Sequence, residues 1–232
     1  RDRVLIEQPK LASKTVVIPN PLPFDISAVA LPQDRPHTIL YCGRIHPEKG
    51  LDLLIRAFGT ACQLGLTGWK LRIVGPSDIT HGGGGRTLLA SLQQLASAMD
   101  APIEWIGPVY VDHLLQAEYL NASLFVYPSQ ADQGEAMPVA PLEAMAHGVV
   151  PIVSALPCFD QYIKHGVNGL LFDHRSTDAV SILAQLLLEL AADPPRRCAL
   201  SNEASLVRHS HAPHVIAEQL INLFARLLLP RH

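Results

Sequence analysis

Short apolar runs alternate with amphipathic segments along most of the chain: KTVVIP, then HTILYCG followed by LDLLIRAFGTACQLG, then WKLRIVG, TLLASLQQLASAM and IEWIG. The alternation continues through HLLQAEYLNA, LFVYPS, LEAMAHG, VVPIVS and GLLFD. The strand-like runs are continuously apolar, as two-sided burial demands, and strand alternating with helix places such strands in a parallel sheet with helices on both faces. The expected fold class is therefore α/β, a doubly wound, Rossmann-like parallel sheet. After Asp173 the pattern becomes wholly helical, clearest over 177–190 and 214–229, with Pro194, Pro195 and Pro213 as breakers between.

Proline-rich PNPLPFD and LPQDRP read as an irregular lead-in to the second strand. The expected organisation is residues 1–13 as a remnant of a linker or preceding domain, 14–210 as the sheet domain and 211–232 as a C-terminal helix. HGGGGRT, residues 81–87, lacks the Gly-Lys-Ser/Thr ending of a phosphate loop and the spacing of a dinucleotide fingerprint, so it reads as a flexible strand-to-helix loop.

Composition narrows the function. At 232 residues and 48% hydrophobic the chain can bury a substantial core. A net charge of -3 lacks the broad basic footprint of nucleic-acid or membrane-surface binding. Cys42, Cys62, Cys158 and Cys198 are scattered, which disfavours both a zinc site and a disulfide framework and fits a reducing, cytoplasmic setting. No apolar stretch approaches the roughly 20 residues of a membrane span, and the N-terminus has no signal-peptide core. The opening RDRVLIEQPKLA carries no complete element, which reads as a piece of a longer protein.

Ligands of open α/β sheets bind beyond the carboxyl ends of the strands. Three such places stand out. In GRIHPEKG, Gly43 and Arg44 end a strand, Pro47 suits a first helical position and Lys49 falls in the first turn, where a cation opposes the helix dipole unless an anion binds there. Arg44, Lys49 and free backbone donors suit a diphosphate, while a surface pair of Lys49 with Glu48 or Asp52 is the plainer alternative. In GEAMPVAPLE, Pro138 and Pro141 set a helix start between them, with Glu135 on the preceding loop and Glu143 inside the helix, an acceptor for vicinal hydroxyls such as those of a ribose. In IEWIGPVYV a strand ends at Gly107, and Val109 forms a neutral lip able to flank a flat base. His209, His211 and His214 straddle Pro213 and read as a solvated connection rather than a metal site; His46 and His165 lie where they can approach the cleft, without an assigned role.

Taken in order and spacing, GRIHPEKGLDLLIRAF, WKLRIVG, IEWIGPV, LFVYPS, GEAMPVAPLEAMAHGVVPIVS and HGVNGLLFD resemble the C-terminal donor-binding domain of retaining GT-B glycosyltransferases of family 4. The resemblance runs from about Thr15 to the final helix. It implies the C-terminal half of a GT-B fold, with extra C-terminal helices, in an enzyme of hexosyltransferase type active in polysaccharide biosynthesis. Arg44 and Lys49 would hold the donor diphosphate, Glu143 the ribose, Val109 the base, Glu135 the sugar, and the amides of Met137 and Val139 phosphate or sugar. Ala136, Met137 and Pro138 stand where many members carry Gly-Phe-Gly, which removes one N–H donor and stiffens the loop.

The resemblance further implies a nucleoside diphosphate sugar as co-substrate, no other cofactor, and an acceptor-binding N-terminal domain absent from this chain, so that the isolated half is expected to be inactive. No Asp-x-Asp metal motif occurs in the sequence. The alternatives are a non-catalytic module binding a nucleotide or sugar phosphate, and a sugar-nucleotide epimerase of the same architecture.

Overall fold

A computed structural model describes residues 7–24, 26, 35–131 and 135–228. Six strands form one sheet: β1 (Thr38–Cys42), β2 (Lys70–Val74), β3 (Ile103–Gly107), β4 (Leu124–Tyr127), β5 (Val150–Ser154) and β6 (Leu170–Phe172). Their order is β3-β2-β1-β4-β5-β6 and every pairing is parallel. The continuous apolar runs are why. All residues of β4 and β5 are buried, as are the first four of β1, so these strands are covered on both faces.

The covering helices are α1 (Leu51–Gln63), α2 (Gly85–Met99), α3 (Asp112–Leu120), α4 (Val139–Ala146), α5 (Ala179–Ala192), α6 (Pro194–Ser205), α7 (Val207–Ser210) and α8 (Pro213–Leu228). One group packs α1 against both α2 and α5; another packs α4 against α6 and α7. The expected doubly wound α/β sheet is present. No helix among the described residues is long and apolar enough to cross a membrane.

Two expectations about elements are corrected. KTVVIP is not a strand: residues 15–18 are irregular, with Val16 and Val17 exposed, because no neighbouring strand among the described residues takes up their backbone groups. Pro194 and Pro195 do not merely separate two helices but begin a third. Asp193 caps α6 by accepting from the Arg196 N–H at 2.9 Å, and a proline in the first turn lacks only a donor that would have had no helical partner.

The described part of the lead-in is irregular as expected, yet tied down. Leu22 is buried and its N–H donates to the His211 carbonyl at 2.8 Å, while Asn20 donates from Nδ2 to the Met137 carbonyl at 3.0 Å. Residues 31–34 of LPQDRP lie outside the described residues. Arg35 is buried and its guanidinium donates to the carbonyls of Tyr119 and Ala122 at the end of α3 and of His147 at the end of α4. It joins the C-termini of two helices whose side chains line the candidate site.

Candidate functional site

β1 and β4 are neighbours in the sheet, but the chain leaves β1 toward β2 and leaves β4 toward β5. The connections run to opposite sides of the sheet, and the crevice at such a switch point is where an open parallel sheet receives its ligand. Arg44, Lys49 and Glu135 all fall there.

Beyond β1, Gly43 to His46 lead into a 3-10 turn, Pro47–Lys49, and Gly50 separates that turn from α1. Lys49 therefore precedes the helix rather than occupying its first turn, a correction with a local cause. Gly50 is left-handed, at φ 64° and ψ 30°, and its N–H bonds back to the Pro47 carbonyl to close the turn. A Cβ there would stand 2.2 Å from the Pro128 carbonyl oxygen beyond β4. Gly50→Ala is accordingly expected to cost about 2 kcal/mol in urea unfolding, from left-handed strain plus a backbone contact that has to open.

Lys49 is almost wholly buried, and its ammonium is ion-paired with the Glu135 carboxylate. The plainer surface pair with Asp52 is not formed, and Glu48 stands at 3.5 Å, farther from the ammonium than Glu135. Glu135 also accepts from Ser129 Oγ at 2.8 Å and from the Tyr127 hydroxyl at 3.2 Å. The Lys49 ammonium lies 5.6 Å from the Tyr127 ring centre, within cation–π range. Burial, followed by the nearby Glu135 charge, pushes the Tyr127 phenol well up, so it remains a protonated donor.

Arg44 is more open. It donates from Nη2 to Glu48 at 2.9 Å and from Nη1 to the Gly82 carbonyl at 2.9 Å. The expected flexible HGGGGRT loop is therefore a wall of this site. The Gly84 N–H donates to the Ile45 carbonyl at 2.8 Å, and Gly83 and Gly85 donate to Asp78 and Ser77 within the turn. A Cβ on Gly83 would come within 2.3 Å of the Ser77 backbone, so the glycines permit close packing rather than looseness.

On the other side of the crevice α4 begins at Val139, between the two prolines as expected, with Pro138 as its N-cap. Neither the Met137 nor the Val139 N–H has an acceptor among the described residues. Glu143 lies in the fifth position of α4, is buried, and accepts from the Tyr119 hydroxyl at 2.6 Å. Burial pushes its carboxyl up, the Tyr119 hydrogen bond pulls it down, and Asp112 at the start of α3 adds repulsion. The two glutamates thus have separate surroundings: Glu135 among Lys49, Ser129 and Tyr127, Glu143 beside Tyr119 and toward α3.

Gly107 ends β3 and its carbonyl accepts from the Gly75 N–H at 2.9 Å. Val109 beyond it is half-buried against the core, and the next residue, Tyr110, is exposed with its ring 5.8 Å from that of His81. Gly43 donates to the Val74 carbonyl at 3.0 Å, which brings the ends of β1, β2 and β3 level.

His165 accepts from the Leu171 N–H at 3.0 Å where β6 begins. No cluster of three metal-ligating side chains occurs among the described residues, the histidines around Pro213 included. The four cysteines are free, and burial pushes the thiols of Cys42 and Cys158 up to about 12, which keeps them unreactive at neutral pH. Tyr119, Tyr127 and Ser129 were not singled out from sequence, and Glu48 only as a surface partner of Lys49, although Tyr127 and Ser129 sit at the carboxyl end of a strand, where the ligand rule points.

Residues 24–206 match the family described as Glycosyl transferases group 1. An exopolysaccharide phosphotransferase of Streptomyces coelicolor is 30% identical over 223 residues, which is 96% of this chain and 22% of that protein. Sucrose-phosphate synthase from Thermosynechococcus elongatus superposes with a TM-score of 0.77 at 24% identity, over 97% of this chain and 56% of that one. The pneumococcal O-GlcNAc transferase GtfA, solved with UDP and GlcNAc, gives a TM-score of 0.73 at 20% identity, over 99% of this chain and 44% of that one. At these identities the two structures establish a shared fold. The chain spans less than two thirds of each of these proteins.

Proposed function

Since this chain belongs to the glycosyl transferases of group 1, we propose that it is the donor-binding half of a retaining glycosyltransferase that moves a sugar from a nucleoside diphosphate sugar to a glycan, lipid or small-molecule acceptor. The observation that carries this reading is the buried Lys49–Glu135 pair, set with Arg44 where β1 and β4 diverge. A buried ammonium at a sheet switch point suits a phosphate, and a hydrogen-bonded carboxylate beside it suits sugar hydroxyls.

In this reading Arg44 and Lys49 hold the diphosphate, joined by the free amides of Met137 and Val139. Glu143 takes the ribose hydroxyls, and Gly107 and Val109 border the base. Transfer breaks the bond from the anomeric carbon to the leaving phosphate oxygen and forms one to the acceptor oxygen on the same face. The acceptor proton passes to the departing phosphate. Negative charge grows on the diphosphate as that bond breaks, so Arg44 and Lys49 act more strongly in the transition state than in the bound donor. Glu135 orients the sugar, with Lys49, Ser129 and Tyr127 fixing its position. The acceptor site belongs to the part of the protein beyond this chain.

Calorimetric titration with UDP, GDP and ADP tests the site. At least one is expected to bind in preference to its 2′,3′-dideoxy analogue, and Glu143→Gln is expected to weaken the ribonucleotide by about 10-fold while leaving the dideoxy form nearly unchanged. Absence of binding to all three at millimolar concentration would sink the donor reading.

The exopolysaccharide phosphotransferase relative favours a second reading, in which the domain binds a nucleotide or sugar phosphate without itself transferring a sugar. Sugar transfer by the full-length protein, abolished by Lys49→Met, separates the first reading from the second.

A further inference from the structure

One carboxylate oxygen in the crevice has basic side chains on three sides. Glu48 Oε1 lies 2.9 Å from Arg44 Nη2, 3.5 Å from Lys49 Nζ and 3.6 Å from His46 Nδ1. The backbone of Glu48 is fastened from the opposite side, its carbonyl accepting from the Gln130 N–H at 2.7 Å and from Ser129 Oγ at 3.4 Å. The side chain itself remains 35% exposed, whereas that of Lys49 is 6% exposed. A partly exposed carboxylate therefore stands on the cations that the donor-binding reading gives to the diphosphate.

Charge makes this consequential. Among the described residues Arg44 and Lys49 face two carboxylates, Glu48 and Glu135, so these four charges balance before any ligand arrives. Resting on that reading, we propose that Glu48 is a built-in counter-anion: it occupies the place of a donor phosphate on Arg44 and Lys49, yields that place when the diphosphate binds, and from beside it disfavours the more highly charged nucleoside diphosphate product. The Arg44–Glu48 pair is partly exposed and such pairs are weak, so a phosphate can displace the carboxylate into water. Arg44 keeps its orientation meanwhile through the Gly82 carbonyl. Glu135, buried and held by Ser129 and Tyr127, has no such freedom. The product carries one more ionisable phosphate oxygen than the sugar ester, so the displaced carboxylate repels it more and assists its release.

The 232-residue chain and Glu48→Gln are titrated with inorganic pyrophosphate, then with whichever of UDP, GDP and ADP binds best and with the glucose ester of that nucleotide. Glu48→Gln is expected to tighten pyrophosphate and the nucleoside diphosphate by about 5-fold and the sugar nucleotide by about 2-fold, both gains shrinking in high salt. A gain of affinity is not what structural damage produces. Unchanged or weaker binding by Glu48→Gln overturns the proposal and reduces Glu48 to a support for Arg44. Lys49→Met provides the control: if it abolishes binding while Glu48→Gln matches the unaltered chain, the donor site stands and the counter-anion fails. If no form of the chain binds any of these ligands, both fail.

Discussion

Lys49→Met is expected to weaken nucleoside diphosphate binding by about 100-fold and, in the same protein, to lower unfolding stability by about 3 kcal/mol. Both effects come from one geometry. The ammonium is buried, touches Glu135 and lies over the Tyr127 ring. Methionine keeps much of the length and the apolar stem but leaves the Glu135 carboxylate buried with, among the described residues, only the Ser129 and Tyr127 hydroxyls for partners. A buried charge stripped of its counter-ion is strongly destabilising, and here it also stands where an anionic ligand must enter.

The double variant Lys49→Met with Glu135→Gln separates the two consequences. Removing the orphaned charge is expected to restore most of the stability, because a neutral amide can still accept from both hydroxyls. Binding is not expected to recover, since the cation that meets the phosphate is still missing. Recovery of both would mean that Lys49 serves only to neutralise Glu135, and would remove it from the diphosphate site. Chemical unfolding and calorimetry on the three proteins decide the matter.

Much of the fold and part of the site could be read from the residue pattern, for identifiable reasons. Strands such as LFVY and VPIVS are apolar throughout because helices cover both their faces, so their nature is written in every residue. KTVVIP carries the same local pattern and forms no strand, because strand formation needs a partner edge and a local run does not record one. The cations of GRIHPEKG and the glutamates of GEAMPVAPLE were visible because charge interrupts apolar sequence at strand ends. Their pairing was not. The Lys49–Glu135 contact joins residues 86 apart, and the nearer Glu48 and Asp52 are equally acceptable partners by sequence distance alone.

The glycine loop shows the same limit from the other side. HGGGGRT reads as permissive, and permissiveness does allow looseness, but in this fold it allows close packing against Arg44 and Ile45. Composition cannot distinguish those outcomes; the location of β2 beside β1 does. Glu143 was placed in its helix by the two prolines, whereas Tyr119, which holds it, was hidden in an amphipathic segment where an aromatic residue reads as core. It is core, and it also carries a hydroxyl to the site.

That dual role makes Arg35 a point at which stability and ligand discrimination meet. Arg35 is 6% exposed, and burial lowers its guanidinium to about 10, which leaves it charged at neutral pH. It donates to the Tyr119 carbonyl at 3.1 Å, to the Ala122 carbonyl at 2.8 Å and to the His147 carbonyl. These lie at the C-terminal ends of α3 and α4, where carbonyls lack helical partners and the helix dipoles favour a cation. Arg35→Ala leaves three buried acceptors without this donor and is expected to cost about 4 kcal/mol, a fall in melting temperature of about 10 °C for a chain of this size. Arg35→Lys is expected to recover less than half, since one ammonium lacks the planar fork that reaches both helices. Below its lowered melting point Arg35→Ala is further expected to lose part of the preference for ribonucleotides over dideoxy forms. Tyr119 supplies the hydroxyl that fixes the Glu143 carboxylate, and the His147 Nδ1 lies 2.8 Å from the Glu143 main-chain carbonyl, so slack at the two helix ends reaches Glu143 through both neighbours. A folded Arg35→Ala protein with full ribose discrimination would show that Glu143 is held by α4 alone and that the guanidinium contributes only to stability.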